Sequence, residues 1–222
     1  MKRLPKFNEY AFNELSNESA YWLGFITADG SISNKSKALS VSIKQSDRMH
    51  LEKLSKFVNF TGLIYEYVHT STGKSFTQCY LNLVSLPLIN RMNDFGIAPR
   101  KSYTDINQLQ YIPDEYKYAF LLGNLDGDGY IRIRSRNRGQ FSWLGQKELI
   151  AAIGSWFSTN DINCKIHKRA DCNLYTCTVY NMVDRLKLCE LYLSLGNVPL
   201  ERKRIKVYDM YTSLNKIQKV LK

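Results

Sequence analysis

The segment YWLGFITADG at residues 21–30 returns 99 residues later as FLLGNLDGDG at residues 120–129. In both, an apolar run leads into Gly, three residues, a small residue and then Asp-Gly. The small pairs are Gly24/Ala28 and Gly123/Gly127. Residues i and i+4 share one face of a helix, and a face without bulk lets two backbones approach closely. The spacing predicts two helices packed on each other, with Asp29 and Asp128 at the same end. A helix C-terminus already carries partial negative charge, so two carboxylates there repel the dipoles and each other. A divalent cation offsets all of these terms, and hard carboxylate oxygens suit Mg²⁺. One such segment is ordinarily a core helix ending in an Asp-Gly turn; two matched copies point beyond that.

Composition narrows the class. Among 222 residues, 31 Lys+Arg face 20 Asp+Glu, a net charge of +11. The stretch to Asp114 carries +3 and the rest +8. Such an excess suits a phosphate-rich partner. No run of 18 apolar residues marks a membrane span, so no membrane partner is expected. The first residues, MKRLPKFNEY, have no apolar stretch behind them, and the expectation is an intracellular protein that is not secreted, cytoplasmic with an organellar place left open. Five cysteines without a C-x-x-C read as reduced thiols. His50, His69 and His167 lie outside any H-x-x-H or H-N-H setting and read as surface or structural histidines.

The repeat extends past the motif. After a polar leader (1–16), a first helix capped by Asn17 or Ser19 is followed by a hairpin over 31–43, a helix over 47–58, a hairpin over 62–84 and a short helix over 85–93. A linker follows, and residues 115–203 repeat the order. The predicted organisation is α+β: a first unit (17–100), a linker (101–114), a second unit (115–203) and a tail (204–222) that adds a helix. Each sheet keeps one polar face. Arg132, Arg134 and Arg136 alternate along a strand, with Arg138 and Gln140 beyond, so their side chains share one side. The matching face of the first unit holds Ser31, Ser33, Ser40, Ser42 and Lys44. β-ribbons enter the DNA major groove, where Arg pairs with guanine and Gln with adenine. A solvated sheet edge that deters association is the plainer reading of the same charges.

The segments LLGNLDGDG (121–129) and WLGFITADG (22–30) resemble the LAGLIDADG motif of homing endonucleases. The first copy departs from it at Thr27, where the motif has Asp. The resemblance covers residues 17–203 and implies two pseudo-symmetric αββαββα units in one chain. They form a saddle whose antiparallel sheets bind double-stranded DNA without a second copy, as a monomer. It implies site-specific cleavage of a long, non-palindromic target by metal-assisted hydrolysis. Asp29 and Asp128 are then metal ligands, one at each scissile phosphate, joined by the backbone carbonyls of Ala28 and Gly127. Mg²⁺ is the implied cofactor, with Mn²⁺ as the alternative. The family also places a Gln or Lys near each metal. Gln45 matches in the first unit, whereas Leu144, Gly145 and Gln146 all remain open in the second. Lys101 and Lys203 match the basic residues of the active centre. Some relatives instead bind nucleic acid without cutting, as intron RNA maturases or DNA-binding regulators, so intron RNA is a second partner to consider.

Overall fold

The computed structural model describes residues 5–71, 73–99, 105–135 and 138–220. Ser16 opens the first helix. Its hydroxyl accepts from the Ser19 amide (3.1 Å), and the Ser19 hydroxyl accepts from the Ser16 amide (2.7 Å). This reciprocal box satisfies two donors that the first turn would leave unpaired. The cap is therefore Ser16 rather than Asn17 or Ser19, because only Ser16 has a hydroxyl three residues ahead. Helix α1 (Asn17–Asp29) is buried from Ser19 to Thr27.

The chain then builds β1 (Gly30–Ser33), β2 (Ala38–Lys44), a 3-10 turn (Gln45–Asp47), α2 (Arg48–Phe57), β3 (Tyr65–Ser71), β4 (Lys74–Val84) and α3 (Leu86–Asp94). The strands form one antiparallel sheet in the order β1-β2-β4-β3. Ile32, Leu39, Val41 and Ile43 point inward at every second position, as a half-buried strand requires. Leu51, Leu54 and Val58 bring α2 onto that face. The leader is pinned at Phe12, which is fully buried against Phe57, and at the Asn8 amide, which donates to the Val58 carbonyl (2.7 Å).

The second unit repeats the plan. Two short 3-10 turns (Gln108–Tyr111 and Asp114–Tyr116) lead into α4 (Lys117–Gly127). Then come β5 (Tyr130–Ser135), β6 (Arg138–Gly145), α5 (Lys147–Thr159), β7 (Lys165–Lys168), β8 (Tyr175–Val179) and α6 (Met182–Ser194). Its sheet has the order β5-β6-β8-β7. Helix α7 (Glu201–Val220) is the expected tail helix, with Val207, Met210 and Leu214 buried. It starts at Glu201, so Lys203 belongs to the tail helix.

Strand register gives the correspondence between the units. Ser31 pairs with Ser40 and Tyr130 with Ser142, which makes Ser142 the counterpart of Ser40. The buried faces of α2 and α5 match at a different offset, Leu51, Leu54 and Val58 against Ile150, Ile153 and Phe157. The three-residue difference is the 3-10 turn Gln45–Asp47, which the second unit lacks. One hydrophobic core runs through both units. All five cysteines are free, with Cys79, Cys177 and Cys189 buried. Among the described residues no helix is long and apolar enough to cross a membrane.

Candidate active site and nucleic-acid face

The two motif helices meet where the sequence has no side chain. A Cβ on Gly24 would lie 1.9 Å from the Phe120 carbonyl oxygen, and one on Gly123 would lie 1.8 Å from the Tyr21 carbonyl oxygen. Each added atom would also meet a backbone amide, that of Asn124 and Phe25 respectively (both 2.9 Å). The contacts are reciprocal, because Tyr21 and Phe120, and Phe25 and Asn124, are the same motif positions in the two copies. Lower down, a Cβ on Gly127 would lie 2.2 Å from the Ala28 Cβ and 3.3 Å from Asp29 Oδ2. One methyl fits at this crossing and two do not.

The seam delivers Asp29 and Asp128 to one end of the helix pair. Asp29 is half-buried at the end of α1, and Asp128 is exposed as the residue that caps α4. Both charges reach the Lys203 ammonium. Burial pushes the Lys203 pKa down to about 8; Asp126 opposes that shift, Arg202 adds to it, and Asp29 and Asp128 oppose it. Lys203 is not displayed toward solvent. Its Nζ donates to the carbonyls of Leu125 (2.5 Å), Asp126 (2.8 Å) and Gly129 (2.8 Å). The first two belong to the last turn of α4, whose carbonyls lack intrahelical partners, and the third lies just past its cap, so Lys203 fixes the turn carrying Asp128. Lys101, its predicted counterpart, lies outside the described residues.

Sequence reasoning passed over Asp126. Its carboxylate accepts from the Tyr21 hydroxyl (2.6 Å), the Tyr192 hydroxyl (2.7 Å) and the Leu200 amide (2.8 Å). These groups come from α1, α6 and the turn before α7. Burial pushes the Asp126 pKa up, and Lys203 and the three donors hold it down. The only signal in the chain was the Thr27/Asp126 mismatch between the motif copies.

A cleft of about 440 Å³ opens beside Asp29, lined also by Ser42, Lys44, Asp47, Gln78 and Arg202. Asp47 pairs with Arg202 of α7 (2.9 Å), which ties the first unit's 3-10 turn to the tail. Gln45 is not among the lining residues. Its amide donates to Glu66 (3.0 Å), which also pairs with Arg48 (2.7 Å). In the second unit, register matches Leu144 to Ser42, Gly145 to Ile43 and Gln146 to Lys44. None of the three occupies the place of Gln45, because the turn that carries Gln45 has no counterpart. Among the described residues, no cluster of three or more His, Cys, Asp or Glu side chains is set to hold a metal.

The outward sheet faces hold most of the predicted contact residues. Ser31, Ser33 and Lys44 are exposed, and Ser40 and Ser42 half-buried, on the side opposite the core. In the second unit Arg132 stands exposed opposite Gln140. Gln140 is itself buried, donating to Tyr130 (3.1 Å) and Ser142 (3.3 Å). The ladder shifts register between Ile133 and Ser135, so Arg134 sits in a bulge and leaves the regular alternation. Arg138 is exposed at the start of β6, and Arg136 lies outside the described residues.

Comparison with known proteins agrees with this fold. Residues 16–94, the first unit, match the model of the LAGLIDADG-like domain. No curated protein sequence matches the chain. Several solved structures share the fold at low identity. The homing endonuclease I-WcaI, bound to its DNA recognition sequence, is 14% identical with a TM-score of 0.64, over 90% of each chain. The LAGLIDADG meganuclease I-AabMI, bound to uncleaved DNA, is 11% identical with a TM-score of 0.58, over 92% of each chain. The meganuclease I-SmaMI, bound to uncleaveable DNA, is 15% identical with a TM-score of 0.53, over 89% of this chain and 95% of its own.

Proposed function

We propose that this chain, whose residues 16–94 match the LAGLIDADG-like domain and whose two-unit fold is shared with solved LAGLIDADG homing endonucleases, is a site-specific endonuclease that cuts a long, non-palindromic DNA duplex. The observation that carries the proposal is the reciprocal glycine seam ending in Asp29 and Asp128. Two units in one chain supply the paired site without a second copy, so the enzyme acts as a monomer. Their differing outward faces ask for a target without two-fold symmetry.

The donor set fits a hard divalent cation. Asp29 and Gly127 line the same cleft, and the carboxylates and carbonyls at this end of the helix pair are hard oxygen donors. Asp29, Asp128 and the carbonyls of Ala28 and Gly127 would hold Mg²⁺ or Mn²⁺. Bound there, such an ion supplies a water of lowered pKa and stabilises charge on the leaving oxygen. The chain's own residues do the rest. Lys203 holds the carbonyls that shape the Asp128 turn. Asp126 locks that turn to α1 and α6. Lys44 and Arg202, at the cleft beside Asp29, carry charge suited to the DNA backbone.

The test is a cleavage selection on a randomised duplex library together with the chain's own genomic neighbourhood, in Mg²⁺ and in Ca²⁺. Cutting at one long site in Mg²⁺, and binding without cutting in Ca²⁺, is the expected result. Asp29→Asn and Asp128→Asn each remove an interaction worth several kcal/mol in the transition state, so cleavage falls about a hundredfold or more while binding persists. Tight binding without cleavage in any metal would turn the reading to a non-cleaving nucleic-acid binder, with the surrounding intron RNA as the next ligand to measure.

A further inference from the structure

Five rings run side by side across the outward face of β3 and β4. Tyr65 stacks on Tyr80 at 5.3 Å and 24°, and Tyr80 meets Tyr67 edge-on at 5.6 Å. Tyr67 meets His69 at 6.5 Å, and His69 meets Phe76 at 5.1 Å. Register confirms that they share a face, since Tyr65 lies opposite Tyr80, Tyr67 opposite Gln78 and His69 opposite Phe76. Tyr65, Tyr67 and Phe76 are exposed at 49%, 37% and 37%, more surface than a core ring keeps. By register Thr176 takes the place of Tyr80 in the second unit and His167 that of Tyr65, so the stacked tyrosine pair has no counterpart there.

Two amides lie within this surface with their orientation set. The Gln78 oxygen accepts from the Tyr67 hydroxyl, and the Asn82 oxygen accepts from the Ser40 hydroxyl (2.6 Å). With the oxygens engaged, each amide offers a partner its NH₂, a donor. Within the row Tyr65 and Tyr80 stack face to face, and the contacts that continue it are edge-on or tilted. The rings offer apolar contact, and a surface that pairs such contact with fixed donors matches one base edge in the major groove above the others. Thymine shows an acceptor, O4, beside a 5-methyl group, and neither cytosine nor guanine carries a methyl.

Resting on the nuclease reading above, we propose that the first unit reads its half of the duplex through thymine methyl and O4 groups, so that this half-site is built on A·T pairs. The second unit reads the other half through Arg132 and its neighbours. Net charge agrees with the division, +3 on the stretch to Asp114 against +8 beyond it. The first unit must draw on neutral contacts where the second draws on cations.

The experiment uses the full chain and the duplex site recovered by selection, in Ca²⁺. Arg132→Ala identifies the second unit's half as the one whose base preference relaxes. Deoxyuridine then replaces thymidine one position at a time in both halves, which removes a methyl and nothing else. Affinity falls about fourfold per buried methyl in the first unit's half and stays constant in the other. Tyr67→Ala and Tyr80→Ala abolish the uridine penalty at the positions they touch. A duplex bound tightly with no uridine penalty in the first unit's half overturns this inference and leaves the nuclease reading standing. Recovery of unpaired RNA or single-stranded DNA, with no duplex selected, overturns both.

Discussion

Thr27 and Asp126 hold the same place in the two copies of the motif, and they do opposite things. The Thr27 hydroxyl donates to the Leu23 carbonyl of its own helix (2.8 Å). The Asp126 carboxylate gathers donors from α1, α6 and the turn before α7, with Lys203 bonded to its backbone carbonyl. The helix seam is thus symmetric in backbone and asymmetric in polar connections. The second unit carries the lock that holds the pair, the tail helix and the Asp128 turn together. The sharpest way to break this comparison is to truncate both residues. Asp126→Ala strands two buried hydroxyls and an amide and removes a carboxylate charge that opposes the buried Lys203, and is expected to cost about 3–5 kcal/mol. Thr27→Ala removes one local hydrogen bond and costs about 1 kcal/mol. Denaturant titration of the two variants separates them; equal losses would mean that the lock is shared.

The backbone symmetry has its own test. Gly24→Ala and Gly123→Ala each drive a methyl onto a carbonyl oxygen, that of Phe120 or Tyr21. A carbonyl in a helix cannot rotate aside as a side chain can, so each variant should lose roughly 3 kcal/mol by overpacking. Near-equal losses support the reciprocal seam. A tolerated Gly24→Ala beside a disabling Gly123→Ala would show that α1 can slide where α4 cannot. Gly196 is the control: it has φ +62 with nothing near an added Cβ. Its alanine variant tests conformation alone and should cost about 1 kcal/mol.

The seam was legible in the sequence because close helix packing demands small residues at one spacing, and Gly24, Ala28, Gly123 and Gly127 have it. The sheets were legible because Ile32, Leu39, Val41 and Ile43 alternate with serines. What escaped depends on partners distant in sequence. Lys203 looks like any basic residue until α7 folds back and brings it to three carbonyls at the end of α4 and just past it. Gln45 turns to Glu66 because β3 brings that carboxylate within 3.0 Å, and no local pattern announces the pair. The Arg132–Arg134–Arg136 alternation read as a straight strand, and the bulge at Arg134 breaks it. Bulges arise from pairing with the neighbouring strand, so one strand's pattern does not reveal them.

His50 against Leu149 extends the comparison into the core. Both are buried at the same position of α2 and α5. His50 lies among Tyr21, Trp22 and Phe25, and burial pushes its pKa down to about 3, with nearby Lys53, Lys203 and Arg202 adding to the shift. The folded protein keeps this imidazole neutral, while the unfolded chain takes up a proton below its ordinary pKa of 6.5. Stability from this group is therefore complete above pH 6.5 and is lost as pH falls toward 3, by about 1.4 kcal/mol per pH unit. His50→Leu, which copies the second unit, should flatten that limb of the stability profile between pH 6.5 and 4. An unchanged slope would place the acid sensitivity elsewhere.

The smallest effects on folding belong to the outward faces, where substitutions should stay within about 0.5 kcal/mol and the difference appears in binding. Lys44 ends β2 at the cleft, and Arg132 stands in regular pairing opposite Gln140. If Lys44 meets only phosphate, Lys44→Ala weakens every duplex alike and lowers the slope of log affinity against log salt by about one. If Arg132 reads a base edge, Arg132→Ala relaxes preference at about one base pair, a loss of roughly 1–3 kcal/mol against the preferred base. Affinity measured from low to high salt on the selected site and on scrambled duplexes distinguishes the two. A uniform loss from Arg132→Ala, matching that from Lys44→Ala, would make the second sheet a phosphate clamp. Sequence reading would then rest with the amides and rings of the first sheet, and the division of labour between the units would be one of charge against recognition.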